Sequence, residues 1–309
     1  MTDAAPPLRY LSDADVESVL PGPERAVELA HAALVLRAHG DVQVPPKPAV
    51  TFGRNGFANA MPVASSAQGL LGCKWISLQP DNPEAGLPTA AGLMMVCVMA
   101  AGELTAARTA AVTGACLKAF ISTEEPVAFV GTGAQVFSHL RVLAWLGYRD
   151  IRVAGRREQA RDAVAAFADR LGVGDRVRVT DSLPQALRDA GAIITGLPIG
   201  LDGAEIPEEL VRDDAVLLPL DYASSVGTAL ARTSTVVSDD VEQFAAVAPL
   251  KLAADYPSAS DWTGNVLGIP KPPGRLLIQN LGNASSDIVI AAEIAANAAR
   301  LGVGTVLPR

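Results

Sequence analysis

The feature that most constrains the fold is a glycine turn that directly follows a short apolar run. Residues 126–135 read Pro-Val-Ala-Phe-Val-Gly-Thr-Gly-Ala-Gln, and an apolar pattern with helical spacing continues to Leu146 and stops at Gly147. A strand that runs into Gly-x-Gly and then a helix is typical of the first βα unit of a dinucleotide-binding domain. The alternative is a tight turn without a ligand, because the third glycine of the usual pattern is absent.

The segments after this turn alternate between strand and helix. Strands are predicted at 150–155, 176–180, 192–195, 215–220 and 234–238, and a helix at 158–171. Such alternation indicates parallel strands joined by helices. We therefore predict an α/β fold, with a Rossmann-type doubly wound parallel sheet over residues 119–282.

The first 118 residues follow another pattern. Helices are predicted near 13–20 and 23–39, and short strands at 49–52, 57–61, 72–78 and 93–99, with a bridging helix over 105–120. Short successive strands favour a mixed or antiparallel sheet. We predict a second, α+β domain over residues 1–118, completed by a C-terminal helix within 283–309.

Charge and cysteine content exclude several classes of partner. The chain has 25 Lys and Arg against 33 Asp and Glu, a net charge of −8, and no basic stretch, which excludes nucleic acid as a partner. Cys73, Cys97 and Cys116 do not follow a metal-binding spacing, so we expect no metal. The N-terminus lacks the pattern of a secretory signal, and the longest uncharged apolar run, 90–102, is too short to span a bilayer. We expect a cytoplasmic protein without a membrane partner.

The end of the second predicted strand indicates which dinucleotide is bound. Sites for NAD usually carry a carboxylate there, which accepts a hydrogen bond from the ribose 2′-hydroxyl. This chain has Val-Ala-Gly-Arg156-Arg157, with no carboxylate before Glu158. The two arginines favour a 2′-phosphate, so we predict NADPH as the cofactor, with NADH as a possibility. The alternative is a first helical turn that is basic without a role.

Three cations stand out in the first part of the chain. Lys47 follows two prolines, Lys74 lies in a predicted strand among apolar residues, and Arg108 lies in an Ala- and Thr-rich helix. A buried charge is costly unless it meets an opposite charge. A substrate carboxylate is one such partner, and structural ion pairs with Asp81, Glu84 or Glu103 are the alternative.

Several segments together resemble the ornithine cyclodeaminase/μ-crystallin family over nearly the whole chain. Their order and spacing carry the resemblance more than any one of them does. The matching segments are Tyr10-Leu-Ser-Asp-Ala-Asp-Val, Val44-Pro-Pro-Lys, Ala60-Met-Pro, Gly72-Cys-Lys-Trp-Ile-Ser, Pro80-Asp-Asn-Pro-Glu-Ala-Gly-Leu-Pro-Thr, Leu104-Thr-Ala-Ala-Arg-Thr-Ala-Ala, Val130-Gly-Thr-Gly-Ala-Gln and Val237-Ser-Asp-Asp-Val-Glu-Gln.

The resemblance implies roles for residues of this chain. It implies that Lys74 faces the reacting carbon–nitrogen centre, that Arg108 binds the substrate carboxylate, and that Asp221 acts on the amine or on water. Lys47 and Met61 are then expected at the substrate. The residues expected at the cofactor are Thr109, Gly131, Thr132, Gly133, Ala134, Gln135, Arg156, Arg157 and Asp221. The resemblance also implies a homodimer that pairs through the domain outside the dinucleotide-binding sheet.

Two departures from the family pattern affect the predicted reaction. Lys47 stands where the family usually has arginine, and Tyr222-Ala-Ser-Ser follows Asp221 in place of a Cys-Pro-Gly-Lys-like segment. With the arginines after the second strand, these differences favour a reductase over a lyase. We predict NAD(P)H-dependent reduction of an imine adjacent to a carboxylate, of the ketimine reductase or amino-acid dehydrogenase type. The alternatives are a cyclodeaminase of ornithine or lysine that recycles NAD, and a non-catalytic NADPH-binding protein.

Overall fold

The computed structural model describes residues 8–52, 56–95 and 98–307, which form two β-sheets with helices between and around them. Cys97 lies outside the described residues. Within them, no helix is both long enough and apolar enough to cross a membrane.

The first sheet is built by the N-terminal part of the chain. Its elements are β1 (Leu8–Leu11), α1 (Asp13–Val19), α2 (Pro23–Ala38), β2 (Ala49–Phe52), β3 (Gly56–Ser65), β4 (Leu70–Leu78), β5 (Ala90–Met95), β6 (Val98–Ala100) and α3 (Ala101–Phe120). The strands lie in the order β1-β6-β5-β4-β3-β2, and all these pairs are antiparallel except β1 with β6.

Alternation along β4 gives this sheet one buried and one open face. Lys74 and Ile76 point to the buried face, whereas Trp75 between them is 47% exposed. Successive side chains of a strand point to opposite faces, so the buried set lies under the helices. The predicted single strand over 93–99 was wrong: β5 and β6 pair with each other, with Met95 opposite Val98. A continuous apolar run conceals the reversal between them.

The second sheet is built by the middle of the chain and is entirely parallel. Its elements are β7 (Val127–Val130), α4 (Ala134–Leu146), β8 (Ile151–Ala154), α5 (Glu158–Arg170), β9 (Val177–Thr180), α6 (Leu183–Leu187), β10 (Ala192–Thr195), β11 (Val216–Pro219), α7 (Thr228–Arg232), β12 (Ser234–Ser238), α8 (Val241–Lys251), β13 (Asp261–Trp262), α9 (Thr263–Val266) and β14 (Arg275–Gln279). The strand order is β9-β8-β7-β10-β11-β14-β12-β13. This is the predicted doubly wound parallel sheet, and the strand order reverses between β7 and β10.

Strand β14 was not predicted, although it lies near the middle of the sheet between β11 and β12. Leu276, Leu277 and Ile278 are fully buried. A short apolar run after Pro-Pro-Gly is a signal for a buried strand and could have revealed it. The end of β14 carries the chain towards the site described below.

The chain ends with α10 (Ala284–Leu301) and β15 (Thr305–Leu307). Asn283 caps helix α10 through its side chain, which accepts from the Ser285 N–H, and the helix contacts α2, α3, β3 and β4. Strand β15 pairs antiparallel with β1. The C-terminal segment therefore returns to the first sheet, while the division at residues 118/119 and 282/283 stays a prediction.

Candidate active site

The glycine turn joins β7 to α4 at the carboxyl ends of the parallel strands. Gly131 has a φ of +127°, and a Cβ on it would lie 2.6 Å from the carbonyl oxygen of Gly196. Any larger residue would therefore push the turn away from the segment after β10. Gly133 caps α4 without a side-chain hydrogen bond, and a Cβ on it would meet nothing within 4 Å. The helix N-terminus thus faces open space, where its N–H groups and dipole favour an anion.

Two further observations fit a dinucleotide at this turn. The Oε1 atom of Gln135 is buried and lacks a hydrogen-bond partner among the described residues. A Cβ on Gly155, after β8, would lie 2.2 Å from the Cγ2 atom of Thr132, so the two loops pack directly on each other. A dinucleotide needs this proximity because its ribose lies next to its pyrophosphate.

Arg156 and Arg157 follow this contact and are both exposed. The Arg161 guanidinium donates to the carbonyl oxygens of Gly155 at 2.9 Å and of Arg156 at 2.8 Å. These bonds hold the loop from beneath and leave the Arg156 and Arg157 side chains at the surface. Their selection of a 2′-phosphate stays a prediction.

Lys74 and Arg108 both contact the carboxylate of Asp287. Lys74 lies on β4, Arg108 on α3 and Asp287 in the first turn of α10. Lys74 Nζ lies 2.6 Å from Oδ2 of Asp287, and Arg108 Nε donates to Oδ1 at 2.8 Å. All three side chains are buried. Each charge is therefore stabilised mainly by the others, since water is excluded.

Lys47, Lys74 and Arg108 repel one another around Asp287, although the Asp239 charge also stabilises protonated Lys47. Burial lowers the pKa of Lys74 to about 7 and that of Lys47 to about 8, and the Arg108 charge lowers both. Burial raises the pKa of Asp287, but the charges of Arg108 and Lys74 outweigh it and hold that pKa below its usual range. A bound anion would relieve the repulsion among the three cations.

Lys47 is fixed by the loop that follows β14. Its Nζ donates to the carbonyl oxygen of Leu281 at 2.8 Å. The Asp239 carboxylate accepts from the N–H groups of Leu281 and Gly282, both at 2.9 Å. Gly282 has a φ of +76°, and a Cβ on it would lie 2.6 Å from a terminal nitrogen of Arg108. A glycine is required here because the backbone lies directly against the guanidinium.

The terminal nitrogens of the Arg108 guanidinium lie beside the Gly282 backbone but make no hydrogen bond to the described residues. Of its five N–H donors, the one on Nε is used by Asp287, and the terminal nitrogens have no hydrogen-bond partner in the part of the chain that the structure describes. The side chain retains 8% exposure. A guanidinium held through Nε can bind a carboxylate with two parallel hydrogen bonds from its remaining edge.

Asp221 follows β11 and is fully buried. Its carboxylate accepts from the Thr195 hydroxyl at 3.1 Å, from the Leu197 N–H at 3.1 Å and from the Ser225 hydroxyl at 2.6 Å. Burial raises its pKa, and these hydrogen bonds oppose the rise. Asp221 thus ties the segments after β10 and β11 together, and its action on water or an amine stays a prediction.

The structure brings Lys47, Lys74 and Arg108 into one cluster. Met61 lies directly opposite Lys74 on the adjoining strand and is buried. Thr109 follows Arg108, and its hydroxyl donates to the carbonyl oxygen of Thr105 at 2.7 Å, within its own helix. The cofactor role predicted for Thr109 is therefore not visible in its contacts.

The alternative ion pairs of Lys74 and Arg108 with Asp81, Glu84 or Glu103 were wrong, because Asp287 is the partner of both. Sequence reasoning missed Asp287. The signal was present: Asp287 directly precedes the apolar run 288–292, and a carboxylate buried there is costly without a cation. The same reasoning had selected Arg108.

Buried polar atoms without hydrogen-bond partners lie at the carboxyl end of β14. The Oε1 atom of Gln279 and both amide atoms of Asn280 are buried and lack partners among the described residues. Buried polar atoms are nearly always hydrogen-bonded in native proteins, so these indicate a place for a ligand or water.

The family comparison agrees with this architecture. A family model described as "Ornithine cyclodeaminase/mu-crystallin family" matches residues 10–211. Nodulation efficiency protein NfeD of Rhizobium meliloti is 28% identical over 324 residues, which cover 97% of this chain and 98% of that protein. Delta(1)-pyrroline-2-carboxylate reductase 1 of Burkholderia multivorans is 29% identical over 228 residues, which cover 64% of this chain and 72% of that protein.

A solved structure shows the same fold. It is the Thermococcus litoralis Delta(1)-pyrroline-2-carboxylate reductase in complex with NADH and L-proline, with a TM-score of 0.83. The likeness covers 97% of this chain and all of that chain, at 19% sequence identity.

Proposed function

The chain belongs to the ornithine cyclodeaminase/mu-crystallin family, and from that membership and the site we propose that it is an NADPH-dependent reductase of an imine adjacent to a carboxylate. The observation that carries the proposal is the half-paired Arg108. Its Nε is held by Asp287, while its terminal nitrogens make no hydrogen bond to the described residues and lie near two amines of lowered pKa. This arrangement suits a substrate with a carboxylate next to a basic nitrogen.

Arg108 and Lys47 hold the substrate carboxylate in this proposal. Arg108 offers the planar edge, and Lys47 adds a point charge at the loop after β14. A lysine in place of an arginine reduces the number of directed hydrogen bonds, because an ammonium lacks the planar fork. Together they orient the substrate, which is the main contribution of such contacts to rate.

Lys74 supplies the proton for the imine nitrogen. Burial lowers its pKa to about 7, so the ammonium is a stronger acid than an exposed lysine and still partly protonated near neutral pH. Asp287 stabilises the charged form and holds the side chain by the 2.6 Å ion pair. Exclusion of water keeps the proton transfer between Lys74 and the substrate.

The glycine turn, Gln135 and the arginines after β8 would hold the dinucleotide. When bound, NADPH supplies the hydride that reduces the imine carbon. Gly131 and Gly133 leave the space for the pyrophosphate, and Arg156 with Arg157 would pair with the 2′-phosphate. Asp221 holds the segment that begins at Leu197 beside this space. A relative named as a pyrroline-2-carboxylate reductase supports the reaction class.

We also propose that the protein is a homodimer that pairs through the open face of the first sheet. Large apolar side chains are exposed along it, among them Phe52 at 73%, Leu71 at 78% and Met95 at 60%. Monomers rarely expose a wide apolar face. Trp75→Glu is expected to yield a monomer in light scattering, whereas a dimeric variant would contradict this interface.

The function is tested by absorbance at the nicotinamide band. Purified protein with NADPH is given cyclic imino acids, and pyruvate with ammonia or methylamine. Oxidation of NADPH is the expected result. Ammonia release from ornithine or lysine without net NADPH change would contradict it in favour of a cyclodeaminase. Tight NADPH binding without turnover in either assay would favour a binding protein.

A further inference from the structure

Arg37, in the last turn of α2, is a buried arginine outside the site described above, and it is 6% exposed. Its Nε donates to Oδ2 of Asp240 at 3.0 Å, and a terminal nitrogen donates to Oε2 of Glu242 at 2.8 Å. Its guanidinium carbon lies over the Trp262 ring, 4.8 Å from the ring centre, a distance typical of a cation–π contact. These three partners lie in or after strands of the second sheet, whereas α2 belongs to the first part of the chain. Arg37 therefore joins the two parts.

The same guanidinium also contacts the segment that follows α2. Its two terminal nitrogens donate to the carbonyl oxygens of Val42 and Val44, each at 3.4 Å. Pro45 and Pro46 come next, and then Lys47. Proline fixes its own φ and restricts the residue before it, so few backbone rotations separate the Val44 carbonyl from Lys47. A displacement of that carbonyl therefore also displaces Lys47.

The ion pair with Asp240 leads to the same lysine by another path. Asp239, the preceding residue, accepts from two N–H groups of the loop after β14, one of them that of Leu281. The Leu281 carbonyl oxygen in turn accepts from Lys47 Nζ at 2.8 Å. Two paths thus connect Arg37 to Lys47: one reaches its backbone through the proline segment, and the other reaches its ammonium through the two aspartates.

Arginine is the side chain that suits these contacts. Its five N–H donors lie in one plane, and here they serve two carboxylates and two carbonyl oxygens. A lysine has one nitrogen and no planar fork, so it could keep the pair with Asp240 but not the whole set. Helix α2 has little room to shift in compensation, because a Cβ on Gly264 of α9 would lie 2.2 Å from the Leu34 carbonyl oxygen.

We propose that Arg37 is a positioning residue for the substrate carboxylate: it sets the place of the Lys47 ammonium, and through it the affinity of the site for that carboxylate. The proposal rests on the proposed function, in which Lys47 and Arg108 hold the carboxylate. Arg37 contacts neither substrate nor cofactor, so its effect passes through Lys47. Lys47 depends on such support because an ammonium is a point charge whose own geometry fixes no direction.

A probe with and without a carboxylate tests this role. Calorimetry with the NADPH-loaded protein compares pyrrole-2-carboxylate with pyrrole-2-carboxamide, for the unmodified chain and for Arg37→Lys. The variant is expected to bind the carboxylate about tenfold more weakly, the range of one hydrogen bond to a charged group, and the amide unchanged. In turnover, KM for the imino acid rises while kcat stays within about twofold, as for a contact made equally in the ground and transition states.

A double-mutant cycle separates positioning from a general structural role. In a chain that already carries Lys47→Met, Arg37→Lys should weaken carboxylate binding no further, because effects that pass through one residue are not additive. Arg275→Lys is the matched control: it removes the fork of another buried arginine and should leave both affinities unchanged. If Arg37→Lys does not fold, Asp240→Asn removes the ion pair from the other side and carries the same cycle.

Hydrogen exchange measured by mass spectrometry tests the placement without any ligand. Amides of residues 40–52 should exchange faster in Arg37→Lys than in the unmodified chain, because the segment has lost contacts that hold it. They should exchange at the original rate in Arg275→Lys. Unchanged exchange of this segment in Arg37→Lys would overturn the inference.

The outcomes distinguish this inference from the proposed function. Reduction of imino acids with unchanged carboxylate affinity in Arg37→Lys would overturn the inference alone. A further loss of affinity in the Lys47→Met chain, or an equal loss in Arg275→Lys, would also overturn it, since the effect would then not pass through Lys47. Carboxylate binding that depends on Arg37 only while Lys47 is present, without any imine turnover, would uphold the inference and overturn the function.

Discussion

Two buried arginines lie at the two ends of strand β14, and they differ in how many of their donors are hydrogen-bonded by the chain. Arg275, at the amino end, makes five hydrogen bonds from all three of its guanidinium nitrogens: to Glu208, Asp213 and Thr233 side chains and to the carbonyl oxygens of Val211 and Arg212. Arg108, against the loop after the carboxyl end, has its Nε paired with Asp287 and its terminal nitrogens free in the described chain.

Under the proposed function, this difference separates a structural cation from one that binds the substrate. Arg275 pairs with two carboxylates, whereas Lys74 and Arg108 share the single carboxylate of Asp287. A guanidinium whose donors are all used by the chain can only hold the fold together. A guanidinium held through a single nitrogen has a fixed orientation and still has unused N–H donors. A binding site requires both properties.

The largest effect is expected from Lys74→Met. Removal of the proton donor should lower kcat/KM for the imino acid by about 10²–10⁴, the usual contribution of general acid catalysis, while NADPH affinity stays unchanged. Steady-state kinetics and fluorescence titration measure the two quantities. Lys118→Met, an exposed lysine on α3, is the control. Full reductase activity in Lys74→Met would refute the mechanism.

Replacement of each arginine by methionine tests the comparison itself. Arg108→Met should lower kcat/KM by about 10², mainly through KM, because two charge-assisted hydrogen bonds to the substrate are lost. Arg275→Met should lower the free energy of unfolding by about 1–3 kcal/mol, since the carbonyl oxygens of Val211 and Arg212 lose their donor, and leave KM unchanged. Denaturant titration and kinetics on both variants decide it. Equal effects on KM would remove the distinction.

Asp287→Asn is expected to move the pH profile of reduction. Activity requires protonated Lys74, so it falls as the pH rises through the Lys74 pKa of about 7. The Asp287 charge raises that pKa, hence its removal should shift the falling limb to lower pH by about one unit and cost about tenfold at pH 8. Profiles of kcat/KM between pH 5 and 9 give the measurement. An unmoved limb would show that Lys74 is not the titrating acid.

The smallest effect concerns an exposed arginine. Arg156→Ala should raise KM for NADPH about fivefold and leave KM for NADH unchanged, because exposed ion pairs contribute up to about 1 kcal/mol. Arg157→Ala, measured alongside, identifies which guanidinium meets the phosphate. If neither variant alters the ratio of the two cofactors, the prediction of NADPH specificity is wrong.

Local patterns in the sequence were sufficient for the class of fold and the family. The strand, glycine turn and helix at 126–146 occur in the structure as β7, the turn and α4, and the parallel sheet around them is as predicted. Lys74 and Arg108 could also be selected from sequence alone, since a charge among apolar residues is recognisable without coordinates. The glycine turn and both cations were therefore available from residues close together in the chain.

Long-range pairing was decided only by the tertiary structure. Asp287 lies 179 positions after Arg108, and no local pattern connects it to β4 or α3. Strand β14 was missed, and with it the loop that fixes Lys47 and the glutamine that holds the Tyr222 carbonyl oxygen. The positive φ of Tyr222, +58°, also had no sequence signal.

The sequence by itself thus determined which chemical groups the protein contains and which type of sheet carries them. Hydrophobic periodicity, turn residues and isolated charges are all local patterns, each recognisable within a few consecutive residues. The tertiary structure decided which of those groups meet and which donors stay free. Hydrogen-bond satisfaction is a property of the whole packed chain: Arg108 and Arg275 have the same side chain, and only their surroundings leave donors of Arg108 unpaired among the described residues while all those of Arg275 are used.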